Sequence, residues 1–505
     1  MLKKLAQCLG LASLLLLENY SDFLGGAGIA RMHVPFGLAK IALANVFDIL
    51  ILTVVLFAVL YPLKLTRLYP VVRLLLAVLI PLYFLSRVES LLPITLPDLF
   101  APIFTVLWPA ALLTLFLKFP SWYRRSALLA SRLGAAFAVF AVFSIGQLLW
   151  LAAWHPGPHQ HTPAWAQSPA QAAVQPPRQH PRLIWIVFDE LSYDQTFEHR
   201  AHDLQLPSFD ALRAQSTLYT DVQPIGDHTV TILPSLIGGQ LVDDYRFRWN
   251  NTLDLHFNGV RGWHQANGPH SIFGDAQQAG WRTAAVGWYN PYCTVYASAI
   301  DDCYWMNWDK IEGPMAQNQT LRHNTWTPLS QLGRRMLSSA HGAHYQCNYD
   351  VNQRLKTHLD LQQHALDLLK SDQADFVFLH LAIPHSPNIW SRIDNAYTTV
   401  CDSSYLDNLA LADIVLGKLM AVAEFSPRWH DTSIIVQGDH SWRVPLWESL
   451  PSWTDDDDVA SRDIFDTRPA VIIHRAGQTT PGTNPAAWSL LNVHTVAEEV
   501  LHNQH

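Results

Sequence analysis

The hydrophobic positions of this chain fall into two regimes. Up to residue 153 they form long, nearly unbroken runs; from residue 181 they come in short runs divided by polar, helix-patterned stretches. Five runs in the first regime, at 4–24, 41–62, 70–90, 98–118 and 131–153, read as membrane spans. The second, IALANVFDILILTVVLFAVLYPL, and the last, RLGAAFAVFAVFSIGQLLWLAAW, can each cross a hydrocarbon core of about 30 Å. The first has the shortest apolar stretch and also fits a signal-peptide core, but no clean small-residue cleavage site follows it.

Charge placement agrees with five crossings. Lys3 and Lys4 precede the first run, Lys64, Arg67 and Arg73 separate the second from the third, and Lys118, Arg124, Arg125 and Arg132 separate the fourth from the fifth. Glu18, Asp22, Glu89 and Asp98 fall in the alternate loops, with Arg31 and Lys40 as exceptions. The positive-inside rule then puts the N-terminus in the cytoplasm and residue 155 beyond the membrane. Residues 154–180, rich in Pro, Ala, Gln and His, have neither helical nor strand periodicity and read as an extended linker.

From 181 onward, apolar runs rich in β-branched and aromatic residues predict buried strands at 183–189 (LIWIVFD), 283–288, 375–381, 433–439 and 470–474. Helical patterns at 361–370 and 405–425 lie among them. This alternation predicts an α/β fold, a mostly parallel sheet sandwiched by helices. The chain thus divides into an all-α transmembrane module (1–153), the linker (154–180) and an exported domain (181–505).

The formal net charge of -8, with no basic stripe, excludes nucleic acid as a partner. Of five cysteines, Cys8 lies in the first run and four lie beyond the membrane. An even number in an exported domain suggests two disulfides. The short loop between them favours Cys293–Cys303, which leaves Cys347–Cys401; four buried thiols are the alternative.

Parallel sheets gather reactive groups at the carboxyl ends of their strands. Here those ends carry Asp189 and Glu190, His385 in AIPHSP, and Asp439 and His440. The stretch GDHTVTILPSLIGG places Thr229 and Thr231 at a predicted helix start, with Pro234 expected in the first turn. Two carboxylates, an imidazole and a hydroxyl suit a divalent metal, zinc or manganese. Such a metal makes a threonine hydroxyl a usable nucleophile, and helix N–H groups attract phosphate or sulfate oxygens. Taken singly, each residue also has a plain reading: Asp189 and Thr229 as helix caps, His385 as a buried hydrogen-bonding group.

Together these motifs resemble the sulfatase-like branch of the alkaline phosphatase superfamily, over roughly 181–505. They are most similar to its membrane-anchored group of lipoteichoic acid synthases, phosphoglycerol transferases and lipid A phosphoethanolamine transferases. The resemblance implies Asp189, Asp439 and His440 as metal ligands, with Thr229 as ligand and nucleophile and Glu190 as a further candidate ligand. It implies His385 as a contact for the substrate phosphate. The spacing to Pro234 favours Thr229 over Thr231.

Two departures stand out. No Cys-x-Pro-x-Arg or Ser-x-Pro-x-Arg is present, so a formylglycine sulfatase is not expected. Ser441-Trp442-Arg443 follows Asp-His where the family usually has Gly. Arg443 reads as an anion contact or a surface residue, and His474 as a substrate contact or a core-edge histidine. Trp281, Trp288, Trp305, Trp308, Tyr289 and Tyr292 form either a lipid-facing rim or the packing of a small disulfide-bonded subdomain. Asp455–Asp458 reads as a solvated loop, with calcium binding as the alternative.

The expectation is therefore an inner-membrane, metal-dependent transferase with its catalytic domain in the periplasm. It would take a phospholipid head group or other anionic ester and pass it, through a phospho-threonine, to an envelope glycan or lipid. A phosphate- or sulfate-ester hydrolase would use the same residues. A non-catalytic membrane assembly protein with a sulfatase-like domain is the reading from another class.

Overall fold

The computed structural model describes residues 1–17, 20, 38–63, 66–85, 100–154, 181–247, 252–306, most of 321–333, 343–462 and 466–502. Most of the expected linker, parts of the first, third and fourth expected spans, and Trp308 lie outside the described residues. The chain divides into two units. One comprises Met1–Gly25, Phe36–Gly157 and Gln317–Gly342; the other comprises Gly26–Pro35, Pro158–Ala316 and Ala343–His505.

The described part of the first unit contains helices α1 (Leu2–Leu15), α2 (Leu38–Leu63), α3 (Tyr69–Leu85), α4 (Phe100–Lys118) and α5 (Pro120–Trp154). Among the described residues, two segments are long and apolar enough to cross a membrane, Ala39–Leu63 and Ala135–Ala153. Tyr69–Leu82 and Val106–Lys118 are apolar but shorter, and α1 has only 14 residues. The apolar side chains of the two long segments are not used up by packing: Val54 is 64% and Val139 74% exposed. A contiguous apolar surface of this kind needs a covering of lipid or protein.

The second unit is built on eight strands: β1 (Arg182–Asp189), β2 (Thr217–Tyr219), β3 (Thr283–Trp288), β4 (Asp302–Met306), β5 (Phe376–Pro384), β6 (Thr432–Gly438), β7 (Val471–His474) and β8 (Gly482–Asn484). They lie in the order β8-β2-β7-β6-β1-β5-β3-β4. Pairing is parallel throughout except where β7 meets β6 and β2. All eight residues of β1 are buried. That is why its sequence is a continuous apolar run: helices cover both faces of a parallel sheet. The three short strands β2, β4 and β8 lacked such runs and were not predicted.

Side-chain alternation along β1 sorts the core into two layers. Ile184, Ile186 and Phe188 pack with α6 (Pro207–Arg213), α9 (Ala343–Ser371) and α10 (Tyr405–Phe425). Leu183, Trp185 and Val187 pack with α7 (Thr229–Gly238), α8 (Ile272–Gln278) and α11 (Asn492–His502). The second layer also holds Trp281, Trp305 and Tyr292, each at most 2% exposed, and Trp288 is buried in the first. These aromatics are core packing, not a lipid-facing rim. They surround a disulfide between Cys293 and Cys303; a second joins Cys347 to Cys401.

Two local expectations need correction. Asp455–Asp458 is not a loop but opens the helix Asp455–Ala460, capped by Thr454 with Asp457 reciprocating. Three of its four aspartates are engaged: Asp456 pairs with Arg392, Asp457 accepts from the Tyr405 amide, and Asp458 accepts from Trp453 Nε1. Pro234 lies in the second turn of α7, because the helix begins at Thr229 itself. The proline therefore removes the amide donor that would reach Val230 O.

His358, on α9, is buried against Tyr397, whose hydroxyl is 3.4 Å from Nε2. Burial, with Lys418 and Arg354 nearby, pushes its imidazole down to about 3. The unfolded chain then binds a proton at pH values where the folded one does not. The stability contributed by the neutral ring is present above the ordinary pKa and lost as pH falls toward the folded value. We expect thermal melts from pH 7 to 4 to show a falling midpoint that is shallower in His358→Gln. Equal slopes in the two proteins would contradict this assignment.

Candidate active site

The parallel register of β1 and β6 aligns Phe188 with Gly438, so Asp189 and Asp439 emerge side by side where the two strands end. Both carboxylates are fully buried. Gly438 is required for this approach: a Cβ there would lie 2.5 Å from Leu191 O. Thr229, the first residue of α7, lies over the same point.

Thr229 Oγ1 donates to Asp439 Oδ2 at 2.7 Å and lies 3.5 Å from Asp189 Oδ2 and 3.3 Å from His440 Nε2. His440 Nε2 is 3.3 Å from Asp439 Oδ2 and 3.7 Å from Asp189 Oδ1. Thr231 is elsewhere; its hydroxyl donates to His228 O. His440 Nδ1 lies 3.0 Å from Ser441 O, so Nδ1–H donates there and Nε2 turns its lone pair to the oxygens. Burial disfavours the imidazolium, but Asp439 and Asp189 overcome it and raise the proton affinity of His440.

This arrangement fits a divalent metal. Asp189 Oδ1 is buried with no hydrogen-bond partner, and one donor atom each from Asp189, Asp439 and His440 lies within 4.8 Å of the others. Ligand atoms at about 2.1 Å from a tetrahedral zinc stand roughly 3.4 Å apart. The separations from Thr229 and His440 given above scatter about that value.

Glu190 stands apart from this cluster. Its φ of +68° is left-handed, a strained setting for a glutamate. The setting is held at both ends: the amide donates to Asp439 Oδ1 at 3.1 Å, and the carbonyl accepts from Tyr405 OH at 2.6 Å. The turn sends the side chain to Arg443 Nε (2.7 Å) and Trp447 Nε1 (2.9 Å). Arg443 also donates to Asp227 O and is neither free in solvent nor in the cluster.

His385 follows β5. Its amide donates to Asp189 O at 3.1 Å, which ties the two strand ends together. Nδ1 lies 2.5 Å from Ser386 O, and the ring packs edge-on against Trp288 and Trp447. Burial, with the Arg354 and Arg443 guanidiniums nearby, pushes it down to about 3.

His474 is not brought to this place. On antiparallel β7 it pairs with Ile434, near the start of β6, whereas Asp439 follows the other end. Its Nδ1 lies 2.9 Å from Gln215 O and its ring stacks on Trp429. It is a core-edge histidine rather than a substrate contact.

Sequence reading passed over His380. It is fully buried within β5; Nδ1 lies 2.8 Å from Trp288 O, and Nε2 is 3.6 Å from Asp189 Oδ2. The signal was available: a histidine inside an otherwise apolar strand. Asn290, whose side chain donates to Thr229 O at 3.3 Å, and Trp447 carried no comparable signal.

The sulfatase family model matches residues 181–446, more than half of the chain. No curated protein matches the chain by sequence. Among solved structures, Ps i-CgsB is similar at 14% identity and a TM-score of 0.43, over 65% of this chain and 74% of that one. The phosphonate monoester hydrolase of Agrobacterium radiobacter is similar at 14% identity and 0.39, over 64% and 74%. The lipoteichoic acid synthase LtaP of Listeria monocytogenes is similar at 13% identity and 0.38, over 64% and 72%. With its mostly parallel sheet and its cluster at the strand ends, the chain belongs to the sulfatase family.

Proposed function

We propose that this sulfatase-family enzyme is a membrane-anchored, metal-dependent transferase that moves a phospho-substituent from an anionic lipid ester to an envelope glycan or lipid through a phospho-threonine at Thr229. The observation that carries this reading is the single buried hydroxyl 2.7 Å from Asp439, at a cluster of metal-ligating donors. In this reading residues 1–153 are a five-span module and 154–180 a linker, and 181–505 act in the periplasm. The exposed apolar faces of α2 and α5 support the anchor, and the two disulfides support an oxidising compartment. A donor whose leaving diacylglycerol stays in the bilayer would explain why such a domain is anchored at all.

Asp189, Asp439 and His440, with Thr229, would hold the divalent ion, which when bound lowers the hydroxyl's pKa and offsets the charge of the ester. Thr229 Oγ1 passes its proton to Asp439 Oδ2 as the Oγ1–P bond forms and the bond from phosphorus to the leaving alcohol breaks. His385 is neutral before substrate arrives, because its proton affinity is depressed. An anionic phosphoryl group beside it raises that affinity, so it enters the step protonated and gives its proton to the leaving alcohol. An acceptor hydroxyl then attacks the phosphorus as the Oγ1–P bond breaks; His385, neutral again, takes the acceptor's proton, and Asp439 returns its own to Thr229. Arg443, anchored on Glu190, keeps further N–H donors at the rim for the phosphoryl oxygens.

Two measurements bear on this proposal. Asp189→Asn and Asp439→Asn should each lower the divalent metal retained by the purified full chain, by inductively coupled plasma mass spectrometry, with far-UV circular dichroism unchanged; full retention in both would contradict the ligand set. Peptide mass spectrometry after exposure to labelled phospholipid should find the adduct on Thr229. Thr229→Val should lower turnover by on the order of 10³-fold or more. An adduct on Thr231 would move the nucleophile. Free head-group phosphate with no labelled acceptor would make the enzyme a hydrolase.

A further inference from the structure

A second cluster lies within the exported domain, on the far side of α7 from its first residue. Asp275 of α8 and His494 and Glu498 of α11 each offer a donor atom within 4.8 Å of the others. His494 and Glu498 are one helical turn apart, so they share a face. His494 is 8% exposed; its Nδ1 lies 2.8 Å from Leu236 O, in the last turn of α7. With Nδ1 as donor, the neutral ring carries its lone pair at Nε2. That atom faces Glu498 Oε1 at 3.4 Å. A lone pair opposite a carboxylate requires a cation between them, either a proton on Nε2 or a metal ion.

A further observation favours the metal. Asp275 adds a second carboxylate within reach of the same point, so two acids converge on one imidazole. Gly239, which ends α7 at φ +68°, lets the imidazole pack closely on its backbone; a Cβ there would lie 2.5 Å from Nε2 and 2.6 Å from Cδ2. His502 follows Glu498 by one more turn of α11, on the same side. By contrast, the cluster of Asp194, Glu198 and His199 already has Arg468 against Glu198.

We propose that Asp275, His494 and Glu498 form a structural binding site for a divalent first-row cation of the zinc type, separate from the cluster at Thr229. One imidazole and two carboxylates are ligands that zinc accepts. The ion joins α8, α11 and, through the Leu236 carbonyl, the end of the helix that Thr229 begins. Its binding adds directly to folding stability, because the unfolded chain has no such site.

The test uses the full chain in detergent carrying Asp439→Asn, which weakens the first cluster. After dialysis against zinc and then metal-free buffer, plasma mass spectrometry should find one equivalent fewer in the protein that also carries Glu498→Gln. Zinc should raise the melting temperature of the first protein and not of the second. Glu498 is part-exposed, so the substitution should be tolerated, as metal-free melts of both proteins will show; His494→Gln gives an independent readout with the same expected loss. Equal zinc content with and without Glu498→Gln and His494→Gln would overturn the proposal and leave a protonated His494–Glu498 ion pair. None of these readouts uses activity, so the outcome is independent of the transferase reading.

Discussion

Asp189 and Asp439 are brought out of water together, at the ends of two adjacent parallel strands, and everything else at this end of the sheet answers to that. Their donor atoms are at most 4.8 Å apart. At an effective dielectric of about 20, like charges at that distance repel by roughly 3 kcal/mol or more. Burial adds to the penalty on both. Thr229 offers one proton and His440 one imidazole, which leaves Asp189 Oδ1 with no partner. The two strand ends are held by parallel ladders on both sides of β1, with a register shift at Phe188/Asp189 on the β5 side, by the Glu190 amide on Asp439 and by the His385 amide on Asp189. The same constraint explains Gly438: the chain leaving β1 turns directly over it.

Much of this was legible because a buried parallel strand must be apolar on both faces. LIWIVFD and SIIVQGD announce both the strand and, at its end, the polar residue that leaves it. Thr229 was legible from its position before an apolar helix. His474 misled for a physical reason: composition does not tell which way a strand runs. A histidine ending a parallel strand would reach Asp439; ending antiparallel β7, it sits beside the start of β6. Pro234 misled because a helix tolerates a proline beyond its first turn when the surrounding packing outweighs one missing hydrogen bond. The aromatics near Cys293 were ambiguous because a core residue and a lipid-facing residue have the same composition; only burial separates them.

The expected five spans illustrate a different limit. Hydropathy marks a segment as apolar whether it is covered by protein or by lipid. In the first unit, packing separates the two cases for α2 and α5, where large apolar residues such as Val54 and Phe143 stay exposed. The shorter apolar segments of α3 and α4 meet the composition but not the length, and part of the sequence assigned to those spans lies outside the described residues.

The residues after Asp439-His440 show how the site distributes charge. Where the family's sequences usually continue with a glycine, this chain has Ser441, Trp442 and Arg443. Trp442 stacks between Tyr405 and Trp453, and that stack fixes the chain so that Arg443 turns inward to Glu190. Tyr405 in turn donates to the Glu190 carbonyl, which supports the left-handed turn. Glu190 is therefore a buried carboxylate with a permanent cation of its own and a Trp447 N–H besides. Asp189 and Asp439 have no such guanidinium, since their neighbours are a hydroxyl and imidazoles. Three acids meet where β1 and β6 end, but only Glu190 has a guanidinium partner. Glu190 thus has its own counter-charge in Arg443, whereas Asp189 and Asp439, with His440, form the group of donors that could hold a metal ion.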